Sequence, residues 1–286
     1  MLNNAKKLSS GVSLALFGMY TCVGLFAHVS SSITMNKRVK GNYFQGNESC
    51  YDYTPYYFYI PFNVNTKSGC EAAFVFMDVS LDVFGFILAS KYLSHDGLFV
   101  TFLNCLKTQI KIVQGAFCTI RERCLKKIGL PVDYEIFQDK INPKLEKVLY
   151  GELTHSIQHL NILLKLCLDI ENLFTYVILA QTLGSLIIFA SCLYVAATVS
   201  INSSEFIVVV QYFFCVLVQL SVICFFGNQI TIASEEIGLS QYQCDWLSSS
   251  SRFKCSMIIT MCRTHRPLYL SIGKFSPLTL ATLVAV

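Results

Sequence analysis

The sequence predicts an all-α fold, a multi-pass transmembrane helical bundle, and three observations predict it. Mean hydropathy is +0.51, and 53% of residues are hydrophobic while only 14% are charged, against roughly a quarter in ordinary soluble domains. Four apolar stretches are each long enough to cross a hydrocarbon core about 30 Å thick. Lys and Arg gather on one side of the loops that those stretches would alternate between. There is no acidic tract, polybasic tail or internal repeat, so a nucleic-acid role has no support. Thirteen cysteines could suggest a secreted scaffold, but Cys22, Cys192, Cys215 and Cys224 lie inside apolar runs. There cysteine behaves as a small buried hydrophobe.

The first stretch, 11–33, holds no Asp, Glu, Lys or Arg and follows Lys6 and Lys7, which favours a cytoplasmic amino terminus. A basic start before an apolar run also suits a secretory signal peptide. The run exceeds the usual h-region and lacks a small-x-small exit, which favours a span. Both readings put 34–71 outside, a polar and aromatic loop with GNYFQGNESCYDYTPYYFYIPF at its centre. Asn47 opens the sequon Asn47-Glu48-Ser49, usable only on the luminal or extracellular face. Cys50 and Cys70 flank the aromatic block; in that oxidising space they either pair or remain two free thiols.

The second stretch, 72–94, is apolar except for Asp78, Asp82 and Lys91. The two carboxylates are four apart and share a helical face. Lipid exposure of a carboxylate is costly, so that face turns to protein or water. An acid–base pair is the sharper reading, and a polar face lining a cavity or tied to another helix is the plainer one. Residues 95–171 then become amphipathic and basic. In LTHSIQHLNILLKLCL apolar residues recur at helical spacing, which predicts helix beyond the bilayer rather than a slack loop. His155 and His159 share a face, but no Glu follows the first and no third ligand is near, so no metal is predicted.

The runs 172–201 and 206–230 are uncharged and each suffices to span. Their short link carries a second sequon at Asn202, close to the membrane for modification. Residues 231–274 are polar again, and 275–286 form a last apolar run of about 18 Å at helical rise, short of a bilayer core. With the amino terminus inside and the long inner segment counted from Lys91, as 91–171, the inner segments hold eighteen of the twenty-two Lys and Arg and loop 34–71 holds four. The long 95–171 segment weighs less in that rule, yet the sign agrees with both sequons.

Tyr242-x-x-Asp245-Trp246, the basic pair Arg252 and Lys254, Arg266-Pro267 and Gly273-Lys274-Phe275 follow one another over some thirty residues. This order and spacing resemble the carboxy-terminal signature of insect odorant receptors. The resemblance implies a bundle of that type with an intracellular helical anchor, acting as the ligand-binding subunit of an odorant-gated cation channel. It implies a heterotetramer with the shared odorant co-receptor, a volatile odorant and membrane lipid as partners, no cofactor, and the plasma membrane of olfactory dendrites. By order the spans correspond to the family's third to sixth helices with part of the seventh, so the first two helices and the end of the last are expected to lie outside this sequence.

On the matching helices the resemblance nominates Tyr20, Gly24 and His28, then Phe74, Met77 and Leu81, then Val209, Tyr212 and Phe213 as odorant contacts. Volatile ligands have few polar atoms, so such a pocket works by apolar burial shaped by aromatics. Segments 95–171 and 231–274 match the anchor where subunits meet. Tyr242 and Trp246 are expected to pack there, Arg266 and Lys274 to sit at the cytoplasmic end of the last helix, and Pro267 to break it. An insect gustatory receptor shares this architecture and is the nearest alternative. A transporter would show paired half-repeats or broken midplane helices, which are missing from the sequence. A membrane enzyme needs a convergent catalytic set, and none stands out.

Overall fold

The computed structural model describes residues 2–40, 67–131, 134, 142–201 and 204–285. In chain order come α1 (Leu2–Lys40), α2 (Lys67–Cys118), α3 (Ile120–Ile128), α4 (Pro143–Thr198), α5 (Ser204–Tyr242), α6 (Ser251–Thr264), β1 (Ser271–Ile272), β2 (Ser276–Pro277) and α7 (Leu280–Ala285). The all-α class stands. Among the described residues, parts of α1, α4 and α5 are long and apolar enough to cross a membrane. Asn47, Cys50 and the side chain of Cys70, like Asn202, lie outside the described residues.

The helices run well past the apolar stretches read from sequence. Residues 34–40 and 67–71, expected in the outer loop, belong to α1 and α2. The 95–171 segment is not separate from the spans: α2 continues through it to Cys118, and α4 carries its later part onward to Thr198. Neither helix meets a proline inside its length, and the apolar spacing persists where the uncharged run ends. Terminators sit where chemistry allows. Gly129 closes α3 at φ +79°, a left-handed cap that suits glycine. Pro143 opens α4, where its missing N–H would be unpaired anyway, and the Asn142 side chain accepts from the backbone N–H groups of Lys144 and Leu145 at 3.2 Å.

The chain divides into two compact units. One comprises Met1–Ser10, Leu98–Gly184 and Leu220–Val286. On α2, Phe99, Leu103, Leu106, Ile110, Val113 and Phe117 form a fully buried stripe at alternating steps of four and three. On α4, Leu145, Leu149, Leu153, Leu160, Leu163 and Ile170 form another. Such spacing places one continuous apolar face on each helix. Polar ties fix the packing: Gln114 donates to the Ala233 carbonyl at 2.6 Å, Lys107 to the Gln229 carboxamide at 2.7 Å, and Asn104 to the Ala5 carbonyl at 2.7 Å. Helix α3 is held to α4 by Glu152, which pairs with Lys127 at 3.0 Å and Arg123 at 3.2 Å. Arg252 of α6 lies 4.3 Å from the Tyr150 ring centre on α4.

The other unit comprises Gly11–Gly97 and Ser185–Gln219. Among its described residues, Leu16, Ala73, Met77, Cys192, Cys215 and Val216 are buried and apolar. Helices α1 and α2 approach closely at Gly97, where an added Cβ would lie 2.8 Å from the Ser13 hydroxyl. Large apolar side chains such as Leu14, Ile187 and Leu193 point outward. In lipid that exposure carries no hydrophobic penalty, so packing and polar ties must hold the helices together.

The final run corrects the sequence reading. Helix α6 ends at Thr264, short of Pro267, and residues 271–277 form an antiparallel hairpin pairing Ser271 with Pro277 and Ile272 with Ser276. Helix α7 begins only at Leu280, so Arg266 and Lys274 precede the last helix rather than sitting on its end. The local reason is backbone chemistry: Gly273 and Lys274 have φ of 58° and 64°, and Pro277 cannot donate a helical hydrogen bond.

Candidate functional site

Three helices of the second unit converge on one buried polar chain. The Asp96 side chain of α2 is almost fully buried and accepts a 2.5 Å hydrogen bond from the Gln219 amide nitrogen on α5. The Gln219 amide oxygen in turn accepts from the Tyr20 hydroxyl of α1. Beside them the His95 ring nitrogen lies 3.4 Å from the other Asp96 oxygen. A carboxylate offers only acceptors, so it turns the NH2 of Gln219 toward itself and the carbonyl toward Tyr20. An isolated buried carboxylate is costly; here hydrogen bonds meet it.

The nominated odorant contacts differ in burial, and one of them belongs to this chain. Tyr20 is part of it. Gly24, one helical turn further along α1, is exposed, and a Cβ added there would meet nothing within 4 Å. Met77 is buried. Phe213 stacks obliquely on Phe189 at 5.0 Å and meets Phe214 edge-on at 5.9 Å, while Tyr212 is exposed and Val209 half-buried. The side chains of His28, Phe74 and Leu81 lie outside the described ones. Asp96, Gln219 and Phe189 were missed by sequence reasoning. Gln219 counted as one neutral residue in an uncharged run, and Asp96 fell just past a stretch already assigned. A polar residue deep inside a predicted span was the available signal.

A second constellation surrounds the hairpin in the first unit. The Gly273 N–H donates to the Thr175 carbonyl of α4 at 3.3 Å, and the Thr175 hydroxyl donates to the Ser271 carbonyl at 3.1 Å. The Ser271 hydroxyl donates to the Glu171 carboxylate. A Cβ on Gly273 would lie 2.6 Å from Leu179, and one on Gly227 of α5 2.7 Å from Leu278. The hairpin is thus seated against α4 and followed by a contact with α5. Pro267 adjoins Leu268, whose N–H donates to the Ser234 hydroxyl at 2.9 Å.

The anchor residues are distributed around these helices. Tyr242 ends α5 and is largely exposed, Trp246 is half-buried in the turn that follows, and Arg266 and Lys274 are exposed. An open groove of about 460 Å3 lies between the ends of α5 and α6, lined by Glu235, Leu239, Tyr242, Met261, Thr264 and His265. None of the nominated odorant contacts lines it. Cys244 nearby is buried, and desolvation, then the charge of Asp245 and Cys118, pushes its thiol up to about 12. Lys107 is held below the usual lysine value by burial first and by Lys111 second. Neither has the depressed thiol or metal-binding company of a reactive centre.

Long apolar helices joined by a buried polar chain, with aromatic and small residues on the nominated faces, define the class: a polytopic helical membrane protein. A family model described as 7tm odorant receptor matches residues 2–286, and the chain belongs to that family. Odorant receptor 2a of Drosophila melanogaster is 30% identical over 81 residues, 28% of this chain and 20% of that protein. Odorant receptor 22c of the same organism is 21% identical over 225 residues, 76% of this chain and 52% of that protein. Two structures of the insect olfactory receptor OR5 from Machilis hrabei, one in complex with eugenol, align with 99% of this chain and 66% of theirs. Their TM-scores are 0.62 and 0.63 at 11% and 12% identity, a likeness of fold. In these curated Drosophila alignments the chain spans from a fifth to about half of each relative's length.

Proposed function

We propose that this chain acts as the ligand-binding subunit of an odorant-gated, non-selective cation channel, assembled with the odorant co-receptor in the plasma membrane of olfactory neurons. The observation that carries the reading is the family match across residues 2–286. In this reading a small, mostly apolar volatile binds among α1, α2 and α5 near Tyr20, Gly24, Met77, Val209, Tyr212 and Phe213, with His28, Phe74 and Leu81 completing the set. Apolar burial at about 25 cal/mol per Å2 supplies the affinity. Ligand binding selects one arrangement of these helices over another and so shifts the open population.

The amino terminus is cytoplasmic, the loop after α1 extracellular with Asn47 glycosylated, and Tyr242, Trp246, Arg266, Pro267 and Lys274 belong to the anchor where subunits meet. The hairpin is seated against α4, and Leu278, just before α7, meets Gly227 of α5. Expression of the complete reading frame with the co-receptor, followed by current recording under a panel of volatiles, tests the proposal. Odour-evoked cation current is expected; surface-expressed receptor with no current across the panel would sink it.

A further inference from the structure

Glu171, Thr175 and Leu179 stand four apart on α4 and so share one helical face. All three meet the hairpin. The Ser271 hydroxyl donates to the Glu171 carboxylate, and the Thr175 hydroxyl donates to the Ser271 carbonyl at 3.1 Å. The Gly273 N–H donates to the Thr175 carbonyl at 3.3 Å, and Leu179 fills the space where a Cβ on Gly273 would stand. A backbone carbonyl has two lone pairs, so that of Thr175 serves Gly273 without leaving the helical ladder. Thr175 and Gly273 are buried and Glu171 and Ser271 half-buried, which limits competition from water. The start of α7 is tied to the same hairpin. The Leu278 N–H donates to the Leu270 carbonyl at 2.6 Å, and the Thr282 hydroxyl of α7 donates to the Pro277 carbonyl at 2.5 Å.

We infer that Glu171, Thr175 and Ser271 form a latch that fixes the hairpin, and with it the start of α7, on α4, so that a shift of α4 on ligand binding is passed to α7. They are positioning residues, acting through the hairpin rather than on a ligand. Glu171 is the last charged residue before the uncharged run of α4, and a bond to a carboxylate is the strong kind. The same helix carries Phe189, against which the nominated contact Phe213 stacks at 5.0 Å. The latch stands on these contacts, while its role in gating rests on the channel reading above. With the latch broken, ligand still binds, but fewer receptors reach the conducting arrangement. Loss of one such bond shifts that equilibrium by about three- to tenfold.

The test uses the complete reading frame with its co-receptor and takes two readouts. One is current per surface receptor under a panel of volatiles, eugenol among them. The other is hydrogen exchange of peptides spanning 268–279 in the purified complex, which needs neither ligand nor conduction. Ser271→Ala and Glu171→Ala are each expected to cut the maximal current and to speed hairpin exchange by about three- to tenfold. Thr175→Val, which removes a hydroxyl at nearly constant shape, is expected to act in the same direction. Glu171→Gln keeps an acceptor and is expected to retain most of both readouts. The double variant Glu171→Ala/Ser271→Ala is expected to match the single ones, the mark of one shared bond. Thermal stabilisation by each activating volatile is expected to keep its half-maximal concentration; a merely structural role would weaken binding and current together. Peptides from 145–163 on α4 report whether each variant folds. Unchanged hairpin exchange in the alanine and valine variants overturns the latch, whatever the currents. Faster exchange with undiminished current overturns its role in gating. An unmodified receptor silent to the whole panel sinks the channel reading instead, and hairpin exchange then decides the latch by itself.

Discussion

At the scale of single residues, the hairpin turn carries the sharpest consequences. Gly273 combines φ of 58° with Leu179 occupying the space that a Cβ would need. Gly273→Ala therefore meets both a left-handed backbone and a collision, and is expected to destabilise the first unit by about 1–3 kcal/mol. Lys274 sits at φ 64° and is exposed. Lys274→Asn is expected to raise stability by up to about 1 kcal/mol, because Asn tolerates that region better. Thermal unfolding of the two variants side by side reads both signs. The Gly273-Lys274 pair was visible in the sequence as a motif, but its cause was not: spacing reveals no dihedral angle. For Gln219 the reverse holds. Its chemistry was legible, yet only the fold shows that Asp96 and Tyr20 reach it from two other helices.

Elements were read well in type and less well in extent. Charge-free runs located the cores of α1, α4 and α5, because hydropathy measures what lipid tolerates. It does not mark where a helix stops, since an apolar stripe facing protein can continue into water. The α2 stripe illustrates this: Ile110 is fully buried, well past the end of the apolar stretch. Ile110→Ala is expected to cost about 2–5 kcal/mol, measured by chemical denaturation of the purified receptor. The α3–α4 junction adds a pH-dependent contribution. A hydrogen bond from Lys127, more than the charges of Lys127 and Arg123, holds the Glu152 carboxyl below its usual range against a smaller opposing effect of burial. A depressed carboxylate stabilises the fold above its unfolded value of about 4.3, and that stabilisation fades as pH falls through the lower folded value. Glu152→Gln is expected to remove roughly 0.2–1 kcal/mol at neutral pH and to flatten the acid limb of a stability profile. The hairpin before α7 was not legible, because an apolar run after a proline reads as a helix start whether or not the chain first turns back.

For the whole molecule, the carboxy-terminal motifs pointed to the family, and the match over residues 2–286 supports the same assignment. The orientation proposed from the charge distribution is separately testable. An amino-terminal tag is expected to be hidden from antibody in intact cells and reached after permeabilisation. Asn47→Gln is expected to abolish a glycosidase-sensitive mobility shift, and a tag stained in intact cells would reverse the topology. The proposed channel activity is that of an assembly. The measurement that tests it most directly is whole-cell recording from cells co-expressing the complete reading frame and the odorant co-receptor. Brief pulses of volatiles that include eugenol are expected to evoke a reversible, non-selective cation current that co-receptor alone does not give. Receptor present at the cell surface and silent to the whole panel would contradict the account.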